Sequence, residues 1–282
     1  MSGLTSHSKL VRWLTSVPML AMLGIILGAL ISIPVIPRPN IGTIIISGPI
    51  LQQSYADDIL DMLNYARTER SIKAVVIQID SPGGGASVTE QIYLEILRLR
   101  QHKPVVASIG TGGASGGYYV AVAANFIYAE PTSQLGSIGA WISLPRPEEP
   151  GEDVVTSGPF KASGGSRRKT FNVLETFRRQ FINDVISNRG ERLKLSEVEL
   201  SRAEIYTGVE SLRYGLIDDI GTSAVAIEKA ASLAGVRHYG MVDLNEELDV
   251  WQPSYWPFLS IEDLKARTGL MPGYYYLYIE SR

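Results

Sequence analysis

Ser115 sits where a nucleophilic hydroxyl would be expected. It lies in Ala114-Ser115-Gly116-Gly117-Tyr118-Tyr119-Val120-Ala121, just after the apolar run 105–109 and a Gly-Thr-Gly-Gly turn at 110–113. At the start of a predicted helix, a serine followed by glycine leaves room for a substrate backbone. The helix N-terminus also favours a developing negative charge. The same small residues suit a helix that merely packs closely on a sheet, so the pattern has two readings. Asp80-Ser81-Pro82-Gly83-Gly84-Gly85 has two readings as well. Proline and glycines can simply stop a strand and turn the chain. Alternatively, a glycine amide such as that of Gly84 can point into a cleft as half of an oxyanion hole, with the amide of Gly116 as the other half.

A serine nucleophile needs a base, and histidine is scarce. Only His7, His102 and His238 occur; none sits in a His-Glu-x-x-His spacing, so neither a metal nor any cofactor is expected. The absence of cysteine removes thiol nucleophiles, disulfides and thiolate metal sites together. A lysine is the alternative base, provided desolvation lowers it from its ordinary value of about 10.4. After the serine come Lys161, Lys169, Lys194, Lys229 and Lys265. Lys161 is flanked by Phe160 and Ala162 with no adjacent charge, whereas Lys169 follows Arg167 and Arg168 in a cluster that reads as solvated. Lys194 and Lys229 fall in polar or helical surface patterns. A surface lysine on a glycine-rich loop is the competing reading of Lys161.

These residues need a scaffold, and 282 residues suffice for one large or two small domains. An apolar content of 45% and a charged content of 20% describe an ordinary globular chain, and a net charge of -3 argues against a nucleic-acid partner. Residues 17–36 form an apolar run of about 20 residues, or roughly 30 Å as a helix, enough to cross a bilayer. Lys9 and Arg12 precede it, which puts the N-terminus in the cytoplasm and the remainder outside. The run ends in Pro-Val-Ile-Pro-Arg-Pro-Asn without a small-x-small cleavage site, so an uncleaved anchor is expected at the cell membrane. From residue 41, strands at 42–47, 73–80 and 105–109 alternate with helices, one over 54–70 with Ser54 as its N-cap and one running to about Arg100. That order predicts an α/β fold with a mainly parallel sheet, and both glycine motifs fall at carboxyl ends of strands, where such folds carry catalytic loops.

Asp80 to Gly85, Ala114 to Ala121 and Leu135-Gly136-Ser137-Ile138-Gly139-Ala140 occur in the order seen in the signal peptide peptidase A family. The segment Thr207 to Gly221, with Gly215-Leu216-Ile217-Asp218, also resembles that family, and the likeness covers residues 41–240. The resemblance implies a membrane-anchored serine protease with a Clp-protease/crotonase-like fold, a repeated β-β-α/βαβ spiral after one transmembrane helix. It divides the chain into an anchor and linker over 1–40, a protease domain over 41–245 and an aromatic-rich extension over 246–282. It also implies a Ser-Lys dyad of Ser115 and Lys161, because the family's lysine lies in a similar Ser-Gly-x-x-Lys stretch. Ser137 matches a serine that orients the base, although a turn serine between glycines fits the same residues. The family is a homo-oligomer that often completes each dyad from adjacent protomers, and its substrates are apolar peptides such as signal-peptide remnants. The Pro- and Glu-rich link 139–154 departs from the longer helical insertion usual there. The aromatics Trp251, Tyr255, Trp256, Phe258, Tyr274 to Tyr276 and Tyr278 suit a protomer contact, a membrane interface or a cover over the cleft, and equally a tail packed on its own domain. A crotonase-type acyl-CoA enzyme and a non-catalytic membrane scaffold are the rival readings.

Overall fold

The computed structural model describes residues 17–35, 38–143, 157–161, 164–250 and 273–277, and the chain forms two compact units, Met1–Arg38 and Pro39–Arg282. In the first unit, α1 (Val17–Val35) is a 19-residue helix without a charged side chain. Its side chains, described as far as Gly28, leave Val17, Leu20, Leu23 and Ile25 more than half exposed. Among the described residues no helix is long and apolar enough to cross a membrane. The span expected over 17–36 therefore stands as a proposal.

The second unit is built on a sheet of eight strands. They are β1 (Asn40–Ser47), β2 (Ile72–Ser81), β4 (Val105–Ala114), β5 (Phe126–Ala129), β6 (Gln134–Gly136), β8 (Ile205–Thr207), β9 (Asp219–Ile220) and β10 (Gly240–Asp243). The order is β10-β1-β2-β4-β5-β9, and every neighbouring pair along it is parallel. Beyond β5's reach, β6 continues the sheet beside the end of β4 and pairs antiparallel with β8. The runs Ile-Ile-Ile in β1 and Ala-Val-Val-Ile in β2 lack alternation because both faces are covered, as parallel sheets require. One face packs Ile44, Ile46, Val75 and Ile77 under α2 (Gln53–Thr68), α3 (Ala86–Arg100), α4 (Gly116–Val122) and α5 (Arg167–Arg189). On the other face Ile41, Ala74, Val76 and Val106 lie under Ala226, Ala230 and Ala231 of α8 (Ser223–Leu233). Short helices α6 (Glu197–Leu200), α7 (Gly208–Tyr214) and α9 (Leu244–Glu247) complete the unit.

Two local expectations are corrected. Ser54 is not the cap of α2: the N-cap is Gln52, whose side chain makes no capping bond. Ile50 is tied to the Gly83–Gly85 segment by two backbone hydrogen bonds, and the helix begins as soon as the chain leaves that bridge. The Gly-Thr-Gly-Gly stretch is not a turn but the second half of β4. After Ile109, β4 changes partner from β5 to β6, pairing Gly112 with Gln134 and Ala114 with Gly136, and its register against β2 shifts by a bulge. Glycine tolerates that irregular, doubly paired path, whose extra length carries the chain past the sheet edge to Ser115.

A separate sheet of three short strands stands beside this end. It consists of β3 (Gly83–Gly85), β11 (Gly273–Leu277) and β7 (Trp141–Ser143), with β11 in the middle and antiparallel to both neighbours. The Pro- and Glu-rich link beyond Ser143 lies almost wholly outside the described residues. So does most of the aromatic segment, including Trp251, Tyr255, Trp256, Phe258 and Tyr278.

Candidate active site

Ser115 is the single residue between β4 and α4, with φ 52° and ψ -117°. A non-glycine residue at positive φ costs about 1–3 kcal/mol and persists only where its surroundings impose it. Here the Ser115 N–H donates to the Gly136 carbonyl at 2.7 Å, and its own carbonyl accepts the Tyr119 N–H at 2.9 Å. Behind it, the Tyr118 hydroxyl donates to the Leu216 carbonyl at 2.7 Å, and the Tyr119 ring stacks on Tyr93 at 4.3 Å. A Cβ on Gly117 would overlap the Ser81 carbonyl, so the chain can pass there only as glycine. The Ser115 hydroxyl caps nothing. A sharp strand-to-helix turn that leaves a serine side chain unspent is the arrangement used to present a nucleophile.

The glycine loop is held as tightly. Gly83 has φ 96°, and a Cβ on Gly84 would fall on the Ile50 carbonyl. The Ser81 hydroxyl, fully buried, donates to the Gly48 carbonyl at 2.7 Å and accepts the Gly83 N–H at 3.1 Å. Asp80 fastens the loop to β4 by accepting the Gly112 N–H at 3.0 Å; burial pushes its carboxyl up, and this hydrogen bond opposes the rise. Because the Gly83 carbonyl and the Gly85 N–H are both used by Ile50, the N–H and carbonyl of Gly84 face the opposite way, toward β11. The residue paired with Gly84 is Tyr276. The Tyr276 carbonyl oxygen also lies against Gly116, where an added Cβ would stand 2.7 Å from it. The Gly116 N–H, the first of α4, has no partner within the helix. We expect Ser81→Ala to cost about 1–3 kcal/mol by leaving the buried Gly48 carbonyl and Gly83 N–H without partners. The urea midpoint measures it.

Ser137 follows Gly136 directly and so stands beside Ser115 across the β4–β6 pair. It also has a positive φ, 51°, and its N–H donates to the Glu204 carbonyl at 2.8 Å. Lys161 is not gathered in with them. It ends the turn Ser157–Lys161, its side chain is exposed, and among the described residues nothing pairs with its ammonium. Among the described residues histidine offers no substitute, and His7 lies outside them. His102 precedes β4 and His238 precedes β10, at the opposite ends of strands that run toward the site, and β4 alone spans about 33 Å. Among the described residues no three of His, Asp and Glu gather as metal ligands.

The aromatic run Tyr274 to Tyr276, for which a cover over the cleft is one of several readings, lies in β11 and pairs with the glycine loop. The part missed at the level of single motifs is the ion pair of Arg189 and Asp218. The Arg189 guanidinium donates twice to the Asp218 carboxylate, at 3.0 and 2.9 Å, and once to the Gly215 carbonyl at 2.8 Å. Asp218 also accepts from Arg192 and from the Ile127 N–H. The Thr207–Gly221 segment is thus a structural clamp behind α4. Its Thr207–Glu210 capping box and the left-handed Gly215 (φ 76°) were legible as a helix start and stop.

The chain matches the model of peptidase family S49 over residues 98–237 and that of Clp protease over residues 40–135. The two matches together span both glycine motifs, Ser115, Ser137 and Lys161. Over residues 98–237 the chain is similar to peptidase family S49. It is 29% identical to Protease 4 of Haemophilus influenzae over 213 residues, which cover 70% of this chain and 34% of that protein. It is 31% identical to the chloroplastic serine protease SPPA of Arabidopsis thaliana over 229 residues, covering 76% of this chain and 33% of that one. The chain thus spans about a third of the length of these family members. A mutant ClpP1 from Listeria monocytogenes superposes with a TM-score of 0.48 at 17% identity, over 66% of this chain and 94% of that one.

Proposed function

We propose that this chain is a serine endopeptidase in which Ser115 is the nucleophile and Lys161 the base. The observation that carries the reading is that Tyr276 pairs with Gly84 and its carbonyl oxygen lies against Gly116, beside a serine hydroxyl that caps nothing. Ser115 Oγ attacks the substrate carbonyl while Lys161 takes its proton. The oxyanion rests on the N–H groups of Gly84 and Gly116. Lys161 then returns the proton to the leaving amine, and water resolves the acyl-enzyme by the same route. Ser137, adjacent to Ser115, orients the lysine amine.

Since Lys161 is exposed and, among the described residues, unpartnered, it serves a Ser115 in another copy of a homo-oligomer, or is drawn in when copies assemble. The apolar helix Val17–Val35 anchors the chain in the cell membrane, with the catalytic unit outside. Apolar peptides, signal-peptide remnants among them, are the substrates, and no cofactor is required.

Hydrolysis of casein or an apolar peptide by the assembled full chain tests the reading. Binding of CoA thioesters without peptide hydrolysis would instead favour an acyl-CoA enzyme. An assembled chain inert toward both would favour a scaffold.

A further inference from the structure

Resting on the membrane-anchor reading above, we propose that the edge of the main sheet at which its parallel strands begin is a docking surface for an anionic lipid bilayer. The catalytic unit meets the membrane with this edge, at the far end of the strands from Ser115.

Strands β10, β1, β2, β4 and β5 run parallel, so their first residues lie along one edge. Asn40 pairs with Gly240 and with Ile72, Val75 with Val105, and Val106 with Phe126. The segments leading into these strands carry cations. Arg70 precedes β2 and Lys73 is its second residue, Lys103 precedes β4, and Arg237 precedes β10. Lys229 of α8 holds its ammonium 4.2 Å from the ring centre of Phe126, the first residue of β5. These cations come from different crossovers, and the parallel topology gathers them. The chain also enters the unit here. Residues 36–39 alone separate Val35, the last of α1, from Asn40, the first of β1, so an anchored chain brings this edge to the bilayer surface.

Only part of this charge is used inside the protein. Lys103 donates to the Ala66 and Glu69 carbonyls at 2.6 Å each, closing the end of α2. Burial pushes its ammonium down, and the nearby Lys73 and Arg67 add to the effect, so the cations crowd one another. Lys73 meets only the Arg70 carbonyl, at 2.8 Å. Among the described residues, none of Arg70, Lys73, Lys229 and Arg237 forms an ion pair with a carboxylate. The Glu69 carboxylate accepts the Ser71 N–H, and Glu228 lines a groove with Arg237 and Tyr239 without pairing to either. In a chain of net charge -3, exposed and unpaired cations gathered at one edge are complementary to an anionic surface. The half-buried Tyr239 and Met241, 57% exposed, follow Arg237 into β10 and suit the boundary between headgroups and acyl chains. From this edge β4 runs about 33 Å to Ser115, so a peptide must leave the bilayer to be cut.

The chain has no cysteine, so His102→Cys in the full chain gives a single thiol at this edge, and Thr132→Cys gives one beyond the other end of β5. Each variant is labelled with the environment-sensitive dye NBD and reconstituted into phosphatidylcholine vesicles with or without phosphatidylglycerol. The dye at 102 should brighten about twofold and shift to the blue only when phosphatidylglycerol is present. The dye at 132 should not respond. Salt at 1 M, which screens charges beyond about 3 Å, should reverse the effect. Adding Arg70→Glu, Lys73→Glu and Arg237→Glu together should abolish it. Equal emission at 102 in both lipids overturns the proposal. So does a response that follows protein density instead of lipid charge, which would assign the edge to a second copy. Should the triple variant not fold, the lipid and salt dependence of the unaltered edge still decides. Flotation separates this proposal from the anchor. A chain that floats with phosphatidylcholine vesicles but ignores phosphatidylglycerol keeps its anchor and loses the docking edge. One that floats only with phosphatidylglycerol, and is released by salt, keeps the docking edge and loses the anchor.

Discussion

On the proposed mechanism, Ser115→Ala should lower kcat for peptide hydrolysis on the order of a million-fold, and Lys161→Ala should lower it by a comparable factor. If nucleophile and base act as a unit, so that removing one idles the other, the double substitution should lose no more than either single one. Residual turnover should come from the Gly84 and Gly116 amides, which neither substitution touches. Lys169→Ala serves as the control: its side chain is exposed at the start of α5, and the rate should stay within about twofold. Mixed assemblies sharpen the result. If Lys161 acts on another copy, oligomers formed from Ser115→Ala and Lys161→Ala chains regain a fraction of wild-type activity, since some sites unite an intact serine with an intact lysine. A dyad within one chain gives no rescue. Activity that survives either single substitution would remove the Ser-Lys mechanism.

Asp218→Ala destabilises the fold by about 3–5 kcal/mol, the usual cost of leaving one member of a buried ion pair alone. The Arg189 side chain is 2% exposed and that of Asp218 5%, so the arginine left behind cannot recover its lost partner from water. The same carboxylate also caps the Ile127 N–H and holds the exposed Arg192, so three groups lose an acceptor at once. Asp218→Asn keeps an acceptor oxygen but loses the charge, and should fall between the alanine variant and the parent. Urea unfolding followed by circular dichroism reads both. A shift below about 1 kcal/mol for Asp218→Ala would show that Arg189 is solvated in the parent. Because Leu216, two residues earlier, receives the Tyr118 hydroxyl, loss of the clamp should also loosen the strained turn at Ser115.

Local chemistry made much of this protein legible. β-Branched runs without alternation could only be strands covered on both faces, and 73–80 became β2 with one residue added at each end. Ser115 could be placed at a strand end because glycine and serine punctuate the chain there whatever it packs against. Ser54 failed as a cap because the start of α2 is set by the long-range Ile50–Gly84 bridge. The Gly-Thr-Gly-Gly segment was misread for a related reason. Glycine permits a turn, but here two different neighbouring strands offer hydrogen bonds to it, and pairing prevails over propensity.

The sequence by itself determined the α/β order, the position of Ser115 between a strand and a helix, the paired glycine loop and the scarcity of histidine. Each is a property of residues close in the chain, governed by periodicity, backbone freedom or composition. Only the tertiary structure decided that Gly84 turns its amide toward β11, that Arg189 finds Asp218, and that Tyr276, about 160 residues beyond Ser115, pairs with Gly84. Those are pairings between distant segments. They depend on which edges and cavities the folded chain leaves open, and nothing local encodes which segment will fill them.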